Sequence, residues 1–381
     1  MTGAADGPRV VIAAGGTGGH IYPGLALAEA LRELAPDATI SFLGTARGLE
    51  GEIIPRAGYE LDLVAMVPFV GANRVVLPGA LLRAGNQARR LLRRRRADVA
   101  VGMGGYASAP LLVGARLGRV PSLIHESGAV PGKANLVAAR LTTNIATAFP
   151  AAVRAFPANR RVRVVGMPLA PEFAHFDRAA LRERSRRDLG LPPDAFVLLV
   201  MGGSQGAARL SDAAVALGER WRDRDDIHIL LKLGARAGTD VDEAIARVGA
   251  DKVVHRVTYL DRMDTAYAAA DAALCRAGAG TVAELAATGL PAVLVPYPFA
   301  TGDHQRDNAA ELVGAGGAFV VDDADADADT IGPIIEGLVA EPADRERMAD
   351  AARSVGRPGA AHELAGWVLD LAARRVAEPL P

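Results

Sequence analysis

The apolar positions of this chain fall into short Val-, Ile-, Leu- and Ala-rich runs, of which the first series is Arg9–Ala14, Thr39–Leu43, Val99–Gly102, Ser122–His125 and Arg163–Gly166. Stretches of helical length separate several of them. Short, continuously apolar runs bounded by turn residues read as strands buried on both faces, and their alternation with helical segments predicts parallel βαβ units. The rhythm then restarts with Phe196–Met201, Ile227–Leu231, Val253–Val257, Ala272–Cys275 and Ala292–Pro296, again separated by Ala-rich helical segments. An α/β chain of two doubly wound domains is the expectation. Its joint is expected at Gly166-Met167-Pro168, because Gly and Pro punctuate regular structure and the charged segment Asp177–Asp188 leads from there to a new strand. The expected organisation is a first domain over residues 1–167, a second over 168–355, and a terminal segment, 356–381, that packs back on the first domain. Within that segment Ala361–Arg375 carries apolar residues at helical spacing.

Three of the expected strand-to-helix junctions are glycine-rich: Gly15-Gly16-Thr17-Gly18-Gly19-His20, Gly102-Met103-Gly104-Gly105-Tyr106 and Gly202-Gly203-Ser204-Gln205-Gly206-Ala207. Glycine lets the backbone turn tightly and approach a ligand closely, while the following helix offers unpaired N–H groups and a positive dipole end to an anion. One mononucleotide fold cannot hold loops so far apart in sequence, whereas two domains facing each other across a cleft can. A dinucleotide dehydrogenase would carry an acid at the end of the second strand to hold a ribose. Here those positions read Leu43-Gly44-Thr45 and Leu231-Lys232-Leu233, which sets nicotinamide chemistry aside.

Composition narrows the reading. At 381 residues, half of them hydrophobic, the chain has material for two cores. A net charge of −1 creates no overall field to recruit nucleic acid, so an anionic partner must be met by a local patch. The single cysteine, Cys275, leaves no internal disulfide and fits a reducing compartment. The N-terminus has only the short run Val10–Ala14 and no basic region before it, so it reads as a first strand and not as a signal peptide. No stretch reaches the roughly 20 apolar residues of a membrane span. A soluble protein, peripheral on a membrane at most, is expected.

The sharpest local pattern is Cys275-Arg276-Ala277-Gly278-Ala279-Gly280-Thr281-Val282-Ala283-Glu284, where a strand end passes through small residues into a helix. The N–H groups around Ala279, Gly280 and Thr281 suit a pyrophosphate. Glu284, about one turn further on, either accepts the two hydroxyls of a ribose or simply complements the helix N-terminus. Asp303-His304-Gln305-Arg306-Asp307-Asn308, after Pro296-Tyr297-Pro298, offers donors and acceptors for sugar hydroxyls, or is a hydrated loop. His20 closes the first glycine loop at a helix N-terminus, where the dipole disfavours imidazolium and keeps a neutral base near pH 7; capping or packing is the plain alternative. His125-Glu126 is no zinc motif, since a second histidine would have to stand at Ala129. Glu126 contacts an acceptor hydroxyl, orients a base or joins a salt bridge. Finally, Arg83, Arg89, Arg90 and Arg93–Arg96 are interleaved with Leu81, Leu82, Leu91 and Leu92 after Val75-Val76-Leu77-Pro78. A basic helix with an apolar edge suits an anionic membrane surface; the lack of aromatics in the segment disfavours nucleic acid, and a solvated face is the plain reading.

Taken in order, GGTGGH, GMGGY, HE followed by AVPGKAN, GGSQGA, YLDRMD, CRAGAGTVAEL and HQRDNA resemble the MurG family, the UDP-N-acetylglucosamine:undecaprenyl-pyrophosphoryl-muramoyl-pentapeptide N-acetylglucosaminyltransferases, over nearly the whole chain. The resemblance implies a GT-B fold, two Rossmann-like domains facing across a cleft. It also implies an inverting, metal- and cofactor-independent transfer of N-acetylglucosamine to the 4-hydroxyl of a lipid-linked muramoyl acceptor. The expected partners are UDP-GlcNAc, the lipid-pyrophosphate-linked acceptor and an anionic membrane surface on its cytoplasmic side, with no nucleic acid. By the same resemblance Glu284 holds the ribose, Ala279–Thr281 and Ser204 the pyrophosphate, Leu260 the uracil through its backbone, His304 and Gln305 the sugar, and Gln205 and Arg276 belong to the donor site. Thr17, Gly18, Gly19, Gly104, Gly105 and Tyr106 meet the acceptor, with His20 as base and Glu126 beside it. The retaining branch of this fold shows Glu-x7-Glu, and Ala292 stands eight residues after Glu284, which supports inversion.

The chain departs from the family pattern at several positions. Ser127-Gly128 stands where an Asn is usual two residues after His-Glu, Gly166-Met167-Pro168-Leu169-Ala170 replaces Gly-Asn-Pro-x-Arg, and Ser211 replaces the Asn after the third loop. These departures keep open a divergent UDP-sugar transferase with a different acceptor. A hydrolysing UDP-N-acetylglucosamine 2-epimerase shares the architecture, but GGTGGH and GMGGY argue against it. A non-catalytic sugar-nucleotide binder would not need His20 and Glu126. The run Asp322–Asp329 has the Asp-x-Asp spacing with which other glycosyltransferases hold a metal; with no strand to bring it to a phosphate loop, it reads as a solvated loop.

Overall fold

Strands covered by helices on both faces must be apolar along their whole length, and the central strands of this chain meet that requirement. The computed structural model describes residues 7–46, 48–66, 77–202, 208–234, 240–258, 260, 262–300 and 303–377. A first sheet contains β1 (Arg9–Ala13), β2 (Thr39–Gly44), β3 (Glu60–Leu63), β4 (Val99–Gly102), β5 (Ser122–Glu126), β6 (Asn144–Thr147) and β7 (Arg161–Val164) in the order β3-β2-β1-β4-β5-β6-β7. Its connecting helices are α1 (Gly18–Leu34), α2 (Glu50–Arg56), α3 (Leu77–Arg94), α4 (Ser108–Gly118) and α5 (Lys133–Ala138). After α6 (Pro171–Ala174) and α7 (Arg178–Asp188), a second sheet follows: β8 (Phe196–Met201), β9 (Ile227–Lys232), β10 (Val254–Val257), β11 (Ala272–Cys275), β12 (Ala292–Leu294) and β13 (Ala318–Val320), ordered β10-β9-β8-β11-β12-β13. The helices of that part are α8 (Ala208–Trp221), α9 (Asp240–Val248), α10 (Met263–Ala269), α11 (Ala279–Thr288), α12 (His304–Ala315), α13 (Ala328–Ala340) and α14 (Pro342–Val355), and the chain closes with α15 (Ala360–Ala377). Neighbouring strands are parallel throughout both sheets.

The described residues up to Pro171, joined by those from Pro358 onward, form one compact unit, and Glu172–Arg357 form another. In the first unit Val10, Ile12, Phe42 and Val101 pack on one face of the sheet against Ile21, Leu27 and Leu31 of α1 and Leu364, Val368 and Leu371 of α15. Val11, Ala13, Leu43 and Ala100 pack on the other against Ala88, Leu91 and Leu92 of α3 and Leu111 and Ala115 of α4. The last helix is pinned further by His362 Nε2, 2.6 Å from Glu33 Oε2, and by the Arg163 guanidinium 4.6 Å over the Trp367 ring. In the second unit Leu198, Val200, Ile229 and Leu274 meet Leu210, Leu217 and Trp221 of α8 and Ile331 and Ile335 of α13.

Three strands escape the apolar-run reading, each for a physical reason. The edge strand β3 carries Glu60 and Asp62, whose charges blunt the exposed edge and bind Arg94 and Arg95. The strand β6 opens with Asn144, a buried amide satisfied by Ser122 O at 3.0 Å. Strand β13 is a three-residue edge. Strand β7 starts at Arg161, two residues before the apolar run: Arg161 and Arg163 face out while Val162 and Val164 are half-buried. Val165 and Gly166 leave the ladder, both donating to Thr147 O, with Gly166 at φ +93°. The acidic run is not merely solvated: Asp327 caps α13 by accepting from Thr330 N at 2.9 Å, Asp323 lies 2.5 Å from Arg276, and Asp322 pairs with Arg306.

One buried carboxylate ties α7 to the second sheet. Asp271 accepts from Val197 N (2.9 Å) and Arg186 Nη2 (2.7 Å) and pairs with Arg178 and Arg182, each at 2.9 Å. Burial pushes this carboxyl upward, but the guanidiniums and the Val197 N–H outweigh it, so its pKa lies below the usual range. Removing one partner of a buried ion network strands the others, so Asp271→Ala should cost about 3–5 kcal/mol in urea unfolding. Because the folded pKa is depressed, this contribution is complete above the ordinary aspartate value of about 4 and is lost as pH falls through the folded one. The acid side of the stability profile should therefore be steeper in the parent than in the variant.

Candidate functional site

In each sheet the strand order reverses once, between β1 and β4 and between β8 and β11. Loops leaving the carboxyl ends of those strand pairs run to opposite faces and open the crevice in which doubly wound sheets hold ligands. In the first unit these are the first two glycine loops. In the second, Arg276–Gly278 follow β11, while Ser204 and Gln205 lie outside the described residues.

The first two loops interlock. Gly16, Gly104 and Gly105 adopt φ of +93°, +103° and +75°, the left-handed region that side chains resist. A Cβ on Gly105 would lie 2.2 Å from Gly15 O, and one on Gly104 would lie 2.5 Å from Cδ2 of His20. The His20 ring thus rests against the second loop from the first turn of α1. Thr17, extended at φ −129° and ψ 161°, precedes that helix, whose opening turn contains Gly18 and Gly19. Helix geometry leaves first-turn N–H groups without intrahelical acceptors, so Thr17, Gly18 and Gly19 stand where an anion would be met. Two other loop amides are already used: Gly16 N donates to Glu50 Oε2 at 2.9 Å, and Gly104 N donates to Ser108 Oγ at 2.9 Å. Burial is the leading cause that lowers the His20 pKa, against opposing pulls from the Gly15 carbonyl and the Glu50 charge, which leaves a neutral imidazole near pH 7. Tyr106 follows these glycines with its side chain partly exposed.

Glu126 ends β5 as a buried anchor. Its Oε1 accepts from Gly128 N at 2.8 Å, and its Oε2 accepts from Asn135 Nδ2 at 2.8 Å and Gly132 N at 3.1 Å. Burial raises its pKa, with those donors opposing. The amide expected two residues beyond His-Glu is absent as a side chain at Gly128, and Asn135 brings an amide to the Glu126 carboxylate. His125 is buried with Nε2 2.9 Å from Gly166 O and Ser127 Oγ 3.4 Å from Nδ1; burial drives its pKa down to about 4, so it is neutral at physiological pH.

In the second unit α11 starts directly after Gly278 with no side-chain cap, leaving the N-terminal amides of Ala279, Gly280 and Thr281 to the crevice. In its second turn Glu284 Oε2 accepts from Tyr267 Oη at 2.7 Å. Burial pushes the Glu284 carboxyl up to about 7; Glu172 raises it further, while Tyr267 and Lys232 oppose. Arg276 is buried and structural in contact: it donates to Val295 O (3.2 Å) and Pro296 O (3.4 Å) besides pairing with Asp323. Asn308 Nδ2 donates to Ala277 O at 3.2 Å, docking α12 on the loop after β11. Gln305 Oε1 accepts from Tyr297 N at 2.9 Å, so its Nε2 is what it can offer a sugar. His304 opens α12 after Asp303, whose φ of +53° aspartate tolerates. Leu260 follows β10, while Tyr259 and Asp261 lie outside the described residues. Among the described residues no group of three His, Cys, Asp or Glu side chains is placed to hold a metal ion.

Helix α3 departs from its sequence reading. Leu91 and Leu92 are buried in the core instead of forming an outer apolar edge, and Arg94 and Arg95 bind Asp62 and Glu60. The outward face consists of Arg83, Arg89, Arg90 and Arg93 with Leu82, which is 58% exposed. Val75 and Val76 lie outside the described residues. Sequence reasoning missed Glu50, 34 residues from Gly16, and Tyr267, 17 residues from Glu284; it also missed Ser108, which lies four residues from the Gly104 amide it holds. Asn135 lay in the AVPGKAN motif, where its amide next to the His-Glu pair was a usable signal.

Residues 10–147 match the glycosyltransferase family 28 N-terminal domain and residues 197–364 the glycosyltransferase family 28 C-terminal domain. The two units are therefore the halves of a GT-B glycosyltransferase. A UDP-N-acetylglucosamine--N-acetylmuramyl-(pentapeptide) pyrophosphoryl-undecaprenol N-acetylglucosamine transferase of Nocardioides sp. is 42% identical over 366 residues, 95% of this chain and 98% of that one. The enzyme of the same name from Rhodococcus erythropolis is 40% identical, over 98% of this chain and 97% of its own. The crystal structure of Acinetobacter baumannii MurG aligns with a TM-score of 0.72 at 27% identity, over 95% of this chain and 99% of that one. The chain belongs to the MurG family.

Tyr267 donates to the ionised form of Glu284, so removing that hydroxyl should raise the carboxyl further. A carboxyl-carbon NMR titration of Tyr267→Phe should place the Glu284 midpoint above its parent value of about 7. An unchanged midpoint would mean that the hydrogen bond does not control this ionisation.

Proposed function

We propose that this chain transfers N-acetylglucosamine from UDP-GlcNAc, with inversion, to the 4-hydroxyl of undecaprenyl-pyrophosphoryl-MurNAc-pentapeptide, the step that completes the lipid-linked disaccharide of peptidoglycan. The observation that carries this reading is the near-full-length identity to transferases of that name, 42% over 95% of the chain for one of them.

The second unit takes the donor. The Glu284 carboxylate accepts the ribose hydroxyls, the first-turn amides of α11 at Ala279, Gly280 and Thr281 meet the diphosphate together with Ser204 and Gln205, and the Leu260 backbone meets uracil. His304 and the Gln305 amide serve the sugar, while Arg276 holds the loop after β12 in place. The first unit takes the acceptor, with Thr17, Gly18, Gly19, Gly104, Gly105 and Tyr106 on its pyrophosphate and sugar. His20 removes the proton of the 4-hydroxyl as that oxygen attacks the anomeric carbon; the bond from that carbon to the diphosphate breaks, and UDP leaves with the electron pair. A single displacement of this kind inverts the anomeric centre. The departing charge is stabilised by the α11 amides and helix dipole, so the reaction runs without metal or cofactor. Glu126 acts by fixing the segment from Ser127 to Asn135 beside the acceptor.

The lipid-linked acceptor calls for a membrane surface. No helix among the described residues is long and apolar enough to cross a membrane. The Arg83, Arg89, Arg90 and Arg93 face of α3, with Leu82, suits peripheral attachment to anionic lipids on the cytoplasmic side, where each basic residue contributes about 1 kcal/mol.

Product formation with a short-chain lipid-linked muramoyl-pentapeptide, identified by mass, tests the reading. Transfer should continue in EDTA. His20→Ala should lower kcat about 10²–10⁴-fold with little change in donor KM, whereas Glu284→Ala should raise donor KM by about 10- to 100-fold. Since only the ionised carboxyl accepts both hydroxyls, donor KM in the parent should rise as pH falls through about 7. Parent-like kinetics in both variants would overturn the residue roles, and UDP release without acceptor or disaccharide would overturn the reaction. Replacing Arg83, Arg89, Arg90 and Arg93 with Ala should reduce cosedimentation with phosphatidylglycerol vesicles, and undiminished cosedimentation would remove the membrane assignment.

A further inference from the structure

Glu50 is a fully buried acid that none of the steps above employs. It opens α2 and turns its carboxylate toward two other segments. Oε2 accepts from Gly16 N at 2.9 Å, and Oε1 accepts from Thr45 N at 3.0 Å and Thr45 Oγ1 at 2.9 Å. Three glycines leave room for it: a Cβ on Gly15 would lie 2.7 Å from Oε1, one on Gly44 2.7 Å from Cγ, and one on Gly48 1.9 Å from Oε2. A carboxylate surrounded so closely by donors stays ionised; burial alone would raise its pKa, but the Gly16 and Thr45 N–H groups and the Thr45 hydroxyl bring it below the ordinary value.

We propose that Glu50 is the positioning residue of the acceptor-side loop: it fixes the backbone at Gly16 from which α1 and His20 depart, and it supplies the standing negative charge that His20 feels. The catalytic part of this inference rests on His20 acting as the base. The other titratable neighbour that couples to His20 is His125 of β5, which is uncharged above about pH 4. From the loop after β4 the ring meets Gly104 and Gly105, which carry no charge. The Glu50 carboxylate is therefore the field that stabilises the imidazolium formed when His20 takes a proton. It also directs the Gly16 N–H inward, leaving the first-turn amides of α1 to meet an anion.

The test uses the full-length chain with Glu50→Gln and Thr45→Val, read by an NMR titration of the His20 imidazole and by the pH profile of kcat. Glu50→Gln keeps the shape and removes the charge. It should lower the His20 pKa, shift the acid limb of kcat to lower pH by the same interval, reduce kcat by about 10- to 100-fold through misplacement of the base, and leave the KM for UDP-GlcNAc unchanged. Thr45→Val keeps the charge and removes one donor, so kcat should fall while the His20 pKa holds. A folded Glu50→Gln protein with an unmoved His20 titration overturns the proposal. If that variant does not fold, parent-like kcat in Thr45→Val overturns it. A His20 pKa that moves without the acid limb of kcat would support Glu50 as the positioning residue and overturn His20 as the base.

Discussion

Parallel pairing is the constraint on which the rest of this structure depends. Because neighbouring strands run the same way in both sheets, each connection must cross a face of its sheet, and the faces fill with helices. The reversal of strand order then becomes unavoidable wherever the chain winds first to one side and then to the other. At the reversal in the first sheet the loops leaving the carboxyl ends of β1 and β4 meet. The glycine-rich segments sit there because the ends of adjacent strands bring backbone so close to backbone that Gly105 has no room for a Cβ beside the Gly15 carbonyl. Packing by itself thus requires glycine at these positions.

Buried acids organise what the sheets position. Asp271 joins a helix to the second sheet through three guanidiniums and a backbone amide. Glu50 and Glu126 each gather backbone N–H groups from loops, and both stay within reach of a second polar side chain, Thr45 in one case and Asn135 in the other. Glu284 differs. It accepts from the Tyr267 hydroxyl, with charge support from Lys232, and its pKa stands near 7 where the others are satisfied by several donors. An acid left with few donors keeps capacity to accept further hydrogen bonds, which sets Glu284 apart from the anchoring carboxylates.

Much of this was legible in the chain itself. Continuous apolar runs located the central strands, since a strand buried on both faces has no solvent side on which to place polar residues. The positions of the glycine loops, His20, Glu126 and Glu284 at strand ends and helix starts were legible because each sits in a short local motif. Charged edge strands such as β3 were not, because an edge tolerates Glu60 and Asp62 that a centre excludes. The outward face of α3 was misread for a related reason: a row of arginines looks uniformly free in sequence, yet Arg94 and Arg95 find partners on a strand more than thirty residues away.

The sequence by itself determined the two-fold βαβ rhythm, the small residues at the strand ends and which polar side chains stand at those ends. Only the tertiary structure decided which of those groups are held and by what. Glu50 reaches Gly16 only after β1 and β2 have paired, and Tyr267 reaches Glu284 only once α10 and α11 flank β11, whereas Thr45 and Asn135 meet their carboxylates from five and nine residues away. Burial and hydrogen-bond supply are properties of that assembled neighbourhood. They set whether a carboxyl is ionised or an imidazole neutral, and no local pattern of residues encodes them.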